Sequence, residues 1–325
     1  FDRSVATGHI SSFSTSGQVD PESSVVTGML SGQMVVSKKA IEGEEILMLP
    51  TRDSDQLEVF GLKDNDGTVS VVRRQILTTF GDLPFATGPM STLATGLYFL
   101  VGHTTERIIS AWVMDENSGD IRFGCSINLP TGVHFMAQHP TTQEIYITSR
   151  SSRSIAVLSL EPAGWQGDPS SRACRIGINR FIDSGSAGTH SIAFSKNGGQ
   201  MYVTSIADGT LTQYDTRLAE NNQPADLPVR RTWVGPEAGI VKLSPYDDLI
   251  YLAITDSQEL LQIAPFTLST LGRLLLDGRP YDFDFMPGNN NSQRIVLSLF
   301  ADHRIAFVDV AGNSLTEGQI MEGTE

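Results

Sequence analysis

Hydrophobic and polar positions in this chain recur in a fixed order. A half-buried strand pattern leads into a turn. A denser hydrophobic run follows, then a polar hairpin, a third strand and a more polar fourth. The clearest copy reads Gly132-Val-His-Phe-Met-Ala-Gln-His-Pro140, Glu144-Ile-Tyr-Ile-Thr148 and Ser154-Ile-Ala-Val-Leu-Ser-Leu160. The next reads Gly188-Thr-His-Ser-Ile-Ala-Phe-Ser195, Met201-Tyr-Val-Thr204 and Thr210-Leu-Thr-Gln-Tyr-Asp215. A third runs through Ile240–Pro245, Leu249–Ile254 and Glu259–Ile263, and a fourth through Tyr281–Pro287, Arg294–Leu299 and Arg304–Asp309. Two looser copies hold Glu45–Leu49 with Leu57–Phe60, and Leu97–Val101 with Ile108–Val113. Short runs rich in Val, Ile, Tyr and Phe, bounded by turn residues, read as strands. No stretch sustains a helical period over ten or more residues. Asp64-Asn-Asp-Gly67, Asp208-Gly209 and Asn197-Gly-Gly199 are turns, because these residues accept positive φ.

A four-stranded unit repeated at about 40–55 residues is the period of a propeller blade. The expected fold is all-β: a single β-propeller domain over 1–325, with blades at 31–83, 84–130, 131–186, 187–238, 239–280 and 281–325. Residues 1–30 resemble the last three strands of a blade: Ser4–Thr7, His9–Phe13 and Ser24–Thr27. Leu315–Glu325 reads as the outer strand of the last full copy, so the expectation is a seven-bladed ring with a partial N-terminal blade. Residues 160–172 read as a rim loop, with Trp165 as a partner-loop residue or a local packing residue.

The repeat resembles the YVTN-type propellers, which include surface-layer repeats, lactonase-like proteins and the heavy chain of methylamine dehydrogenase. The resemblance rests on Ile145-Tyr-Ile-Thr148, Met201-Tyr-Val-Thr-Ser205, Asp208-Gly-Thr-Leu-Thr-Gln-Tyr-Asp215 and the His139-Pro140 and Ser244-Pro245 turns. It covers 84–325 well and 1–83 weakly. It implies the blade rather than an activity. No copy ends in the Trp-Asp of WD-repeat propellers. Lactonase-like relatives tend to carry Gly-Pro-Arg-His before the inner strand. The comparable segment here is Gly132-Val-His-Phe135, with His134 where that arginine would stand.

Stacking the copies sets Gly32, Phe85, His134, His190, Gly239 and Tyr281 at one position by the expected channel mouth. Neutral imidazole offers a lone pair, so His134 and His190 are candidate general bases or metal ligands; otherwise they are space-filling residues beside a polar channel. The hairpins expected at the same end are acidic: Asp53 and Asp55, His103 and Glu106, Asp208, Asp256 and Glu259, and Asp302 with His303. Arg150 and Arg153 are the exception. Converging carboxylates suit a divalent cation, or are simply solvated turns. No resident cofactor is expected. Cys125 and Cys174 fall near the outer strands of consecutive copies. They form one bridge if the compartment is oxidising and their Cα atoms come within about 7 Å, or stay as two thiols.

Charge narrows the partners. The formal net charge is −14, and only 5 of 23 basic residues are lysine. Nucleic acid and anionic lipid are therefore not expected partners, because the phosphate-neutralising charge is missing. No apolar run reaches the ~18 residues of a membrane span, and lipid anchoring is expected only through residues before Phe1. Phosphate loops, Gly-x-Ser-x-Gly elbows and dinucleotide fingerprints are absent. On these grounds the expected function is a non-catalytic binding or scaffold propeller, acting with other proteins in an envelope, periplasmic or extracellular assembly. The alternatives are a lactonase-like hydrolase or lyase with its site at the channel mouth, and an accessory subunit of a periplasmic redox enzyme.

Overall fold

A computed structural model describes residues 8–10, 25–27, 32–52, 54–65, 68–78, 89–162, 174–217, 226–246, 248–287, 293–299, 304–312 and 314–322. Every regular element among them is a strand. β1 (Gly8–Ile10) and β2 (Val25–Thr27) form a two-stranded antiparallel sheet. Six four-stranded sheets follow, each ordered as the chain runs. The first is β3 (Val35–Val36), β4 (Glu45–Thr51), β5 (Gln56–Asn65) and β6 (Thr68–Thr78). The second is β7 (Pro89–Thr95), β8 (Tyr98–His103), β9 (Ile108–Met114) and β10 (Ile121–Asn128). The third is β11 (Phe135–Gln138), β12 (Ile145–Thr148), β13 (Ser154–Pro162) and β14 (Cys174–Asp183). The fourth is β15 (Thr189–Phe194), β16 (Gln200–Ser205), β17 (Thr210–Asp215) and β18 (Leu227–Trp233). The fifth is β19 (Ala238–Leu243), β20 (Ile250–Ile254), β21 (Glu259–Ile263) and β22 (Thr270–Leu275). The sixth is β23 (Pro280–Pro287), β24 (Gln293–Leu299), β25 (Arg304–Ala311) and β26 (Ser314–Glu322).

These are the blades of a β-propeller; among the described residues the four-stranded blades number six, as many as the full copies read from the sequence. Of the seventh, only β1 and β2 are described; the strand expected at Ser4–Thr7 lies outside the described residues, as do most of the expected rim loop and Trp165.

The position of a strand in its blade sets its pattern. Second strands are buried on both faces, as in β16 and β20, so they read as the densest apolar runs of the blade. Fourth strands such as β18 and β22 are exposed along nearly their whole length and read as polar. The hairpin between second and third strands reuses one turn. Its last residue is left-handed at Asp55, Arg107, Gly209 and Gln258, with φ of 51–62°. Gly209 carries a further demand, since a Cβ there would lie 2.4 Å from the Gly235 carbonyl oxygen.

Packing divides the chain into two compact units, residues 1–138 with 157–180, and residues 139–156 with 181–325. In the first, Ile46, Met48, Val59, Phe99, Val101 and Trp112 form one core between the first and second blades. Cys125 on β10 and Cys174 on β14 are joined by a disulfide, with Cα atoms 5.5 Å apart. The bridge closes a span of 49 residues, worth about 4 kcal/mol on the chain-entropy account. In the second unit, Tyr202, Leu211, Val241, Leu252, Ile254 and Leu261 fill the space between the fourth and fifth blades. Each such fully buried side chain contributes about 1.5–3 kcal/mol.

Candidate active site

The tyrosine and threonine of the recurring Tyr-x-Thr run have separate structural tasks. Tyr146 and Tyr202 are fully buried, and their hydroxyls reach polar partners: Tyr146 donates to Asp226 Oδ1 at 3.0 Å, and Tyr202 to the Pro265 carbonyl at 3.2 Å. The threonines lie at the ends of second strands and donate across to the next inner strand. Thr148 Oγ1 donates to the His190 carbonyl at 2.6 Å, and Thr204 Oγ1 to the Gly239 carbonyl at 2.7 Å.

The acceptor residues share a structural peculiarity. The register of each inner strand slips near its start: Thr189 pairs with Ser205 but Ile192 with Val203, and Ala238 pairs with Ile254 but Val241 with Leu252. Pro280 and Asp282 repeat the slip around Tyr281, and Pro89 and Ser91 repeat it around Met90. Bulges re-aim the residue they contain. His190, Gly239 and Tyr281 are therefore equivalent, as the stacked copies imply. In the second blade Met90 holds this place; Phe85, assigned to it by the stacked sequence, lies outside the described residues.

A second set of bonds brings an arginine to His190. Ser149 N donates to Thr189 Oγ1 at 3.1 Å, and Thr189 Oγ1 donates to the Ser149 carbonyl at 3.1 Å. This stitch sets the end of β12 against the start of β15, and the residue after Ser149 is Arg150. Its Nη2 donates to His190 Nε2 at 2.7 Å. Only 5% of His190 is exposed. Burial, reinforced by the neighbouring Arg150 charge, pushes its pKa down to about 3, against a backbone hydrogen bond at Gly239 that acts the other way. The imidazole is therefore neutral across the physiological range and accepts a charge-assisted hydrogen bond. Burial lowers the Arg150 pKa, while Tyr281 and Glu237 favour its cationic form. The Arg150 guanidinium therefore brings a positive charge to the bulged start of β15. Glu237 is exposed and left-handed, with φ 54°. A glutamate there costs of order 1 kcal/mol or more, at a position where its carboxylate acts on Arg150.

The other expected site residues separate. Tyr281 is 42% exposed beside this group. Asp208 and Asp256 are exposed on the hairpins after β16 and β20, at the end where the inner strands begin. Asp302 and His303 lie outside the described residues. His134 is buried in the first unit and His190 in the second. Among the described residues, no three His, Cys, Asp or Glu side chains are grouped to hold a metal ion. His103 is a framework residue: its Nε2 bonds Ser110 Oγ, which also accepts from Trp112 Nε1. The sequence reading missed the Arg150–His190 pair. Its one signal was a basic hairpin among acidic ones.

No protein-family model matches the chain, and no curated protein sequence does. Solved structures do. The chain is similar to the periplasmic gluconolactonase of Pseudomonas aeruginosa, with a TM-score of 0.74, 14% identity, and 99% of this chain and 94% of that one covered. A Bacteroides fragilis protein whose name proposes a 6-phosphogluconolactonase matches with a TM-score of 0.69 and 11% identity, over 89% of this chain and 83% of that one. Sqt1 from Chaetomium thermophilum, solved with the N-terminus of ribosomal protein L10, matches at 0.55 with 13% identity, over 86% of this chain and 72% of that one. The expectation of a non-catalytic scaffold is corrected by this order: structures named as lactonases match at 0.66 to 0.74, above the protein-bound propeller. The lactonase-like alternative is the reading these matches back. Among the described residues, no helix is long and apolar enough to cross a membrane. The chain thus has the fold of the lactonase-like β-propellers, as its Tyr-x-Thr blades imply.

Proposed function

We propose that the protein hydrolyses a sugar-acid lactone at the Arg150–His190 site. The observation that carries this reading is the 2.7 Å bond from Arg150 to a buried histidine at the bulged start of β15. Arginine is the residue missing from the comparable Gly132-Val-His-Phe135 segment, and the hairpin after β12 supplies one instead. Water attacks the lactone carbonyl carbon, and Glu237 takes its proton. The carbonyl oxygen becomes an oxyanion, which the Arg150 guanidinium stabilises. The ring C–O bond then breaks, and the leaving alkoxide recovers the proton from Glu237, giving the open-chain hydroxy acid. His190 remains neutral and holds the guanidinium in place.

The disulfide between Cys125 and Cys174 supports an exported protein, since such bridges persist in oxidising compartments. A periplasmic location agrees with it. The test is a pH-stat assay with glucono-1,5-lactone, with spontaneous hydrolysis subtracted. Catalysis that is lost in Arg150→Ala and in Glu237→Gln is expected. A wild-type rate equal to the spontaneous one overturns the reading.

A further inference from the structure

We infer that a cleft between the fourth and fifth blades, at the end away from the bulged starts of the inner strands, binds a neutral saccharide. The inference does not rest on the hydrolase reading, because the cleft shares no residue with the Arg150–His190 site.

The strand directions place the cleft. β15 and β19 begin at the bulges of His190 and Gly239 and run away from them, to Phe194 and Leu243. The turns that follow these strands, and the chain after β17 and β21, therefore lie at the far end of their blades. Residues from these segments enclose a cleft of about 720 Å³, within the range of about 300–1,000 Å³ usual for small-ligand sites.

Part of the lining is apolar: Val229 of β18, Leu243, Pro265 and Phe266. Phe266 is 71% exposed and Val229 58%, so two large apolar side chains meet solvent in one concave place. Single exposed hydrophobics are ordinary, but a grouped set marks a contact surface. Two cross-blade bonds fix the turn that carries the ring. The Tyr202 hydroxyl donates to the Pro265 carbonyl at 3.2 Å, and Arg230 Nη1 donates to the Phe266 carbonyl. A turn held in this way adds little ordering cost when a ligand lies against it.

The rest of the lining is polar and rich in amides: Asn197, Gln200 and Gln213. Asn197 Oδ1 accepts from Gly199 N at 3.0 Å and from Ser195 Oγ at 2.9 Å, which orients its amide. Amides supply both donors and acceptors. The charged side chains of the lining balance, Lys196 and Arg217 against Asp215 and Asp248. Arg217 is also paired with Asp215, its Nε donating to Oδ1 at 2.9 Å. The cleft therefore offers no net charge to a phosphate or to a divalent cation. It suits a neutral ligand with an apolar face and a hydroxyl edge. A pyranose has both: its ring C–H groups fit the negative face of an aromatic ring, and its hydroxyls fit the amides.

Titration calorimetry with cellotriose and with maltotriose tests this, on the wild type and on Phe266→Ala, Phe266→Trp and Arg150→Ala. At least one trisaccharide should bind with a Kd of roughly 1 mM or tighter. Phe266→Ala should weaken that binding at least about fivefold, with thermal unfolding unchanged because the ring is exposed. Phe266→Trp should retain it, and Arg150→Ala should leave it as in the wild type. Binding of neither trisaccharide overturns the inference. Binding that ignores Phe266→Ala, or that is lost in Arg150→Ala, places the sugar elsewhere and overturns it too. Tighter binding of glucose 6-phosphate than of glucose, lost in Phe266→Ala, overturns the neutral class of ligand. None of these outcomes bears on lactone turnover, so the hydrolase reading stands or falls by its own assay.

Discussion

His139 and His190 belong to the same compact unit and are both almost wholly buried, at 1% and 5% exposure. His139 lies in a turn that the propeller resemblance rests on and His190 in a stacked copy of the repeat, and their environments assign them different work. His139 is closed on every side. Its Nδ1 accepts from Thr141 N at 3.3 Å and Thr142 N at 3.2 Å, which leaves Nε2 to donate to the Gly198 carbonyl at 2.9 Å. Its ring packs against Tyr146 and Phe194, with centroids 6.1 and 5.0 Å away. His190 instead turns a lone pair toward a guanidinium. One imidazole is framework, because fixed backbone groups dictate its tautomer. The other lies at the candidate site, because its partner is a cation. What separates them is the neighbour, not the residue.

The largest expected effect concerns acid. The folded pKa of His190, about 3, lies below the ordinary value near 6.5. Between those values the unfolded chain binds the extra proton. The stability this group contributes is complete above pH 6.5 and is lost as pH falls toward 3, by up to roughly 5 kcal/mol. Urea unfolding at pH 7 and pH 4 should show a larger loss in the wild type than in His190→Gln. Equal losses would remove the claim that His190 is the buried neutral group.

His139→Ala should cost about 3–5 kcal/mol of stability, from a lost aromatic-sized side chain and orphaned backbone amides. Thermal unfolding reads this directly. The molecules still folded should keep normal kcat/KM; a specific catalytic loss would erase the contrast between the two histidines.

Arg150→Ala should keep most of the wild-type stability and lose about 10²–10³ in kcat, the effect of deleting one oxyanion donor. Arg150→Lys should recover little, since a point charge lacks the planar fork. Full recovery by lysine would mean that charge alone suffices.

The smallest effect is at Thr148. Replacing it with valine removes one buried hydrogen bond to the His190 carbonyl, worth about 1 kcal/mol of stability. A modest additional fall in kcat, through misplacement of the bulge, is expected. If kcat is unchanged, the threonine serves the blade only.

Much of the blade was legible because its physics is local. β12, β17 and β21 begin and end within two residues of the runs read from the sequence, since a strand buried on both faces cannot hide its apolar run. The six full copies read from the sequence are the six four-stranded sheets, and of the partial repeat at residues 1–30 the two-stranded sheet of β1 and β2 is described. Stacking the copies also found the equivalence of His190, Gly239 and Tyr281, because each copy meets its bulge at the same step. It failed at Phe85, where the spacing before β7 departs from the other copies and Met90 occupies the bulge. The function was read wrongly for a related reason. An in-line search for arginine beside the histidine cannot see a residue 40 positions earlier in the chain.

By itself, the sequence determined the all-β class, the order of strands within a blade, the turns at Gly198 and Gly209, and the acidity of the hairpins. These follow from periodicity, backbone preference and composition, which act over a few residues. Only the tertiary structure decided which histidine meets a cation and that Cys125 and Cys174 lie 5.5 Å apart. Each of these is a contact between neighbouring blades, fixed by packing and cross-blade hydrogen bonds such as that from Thr148 to His190. No local pattern carries that information.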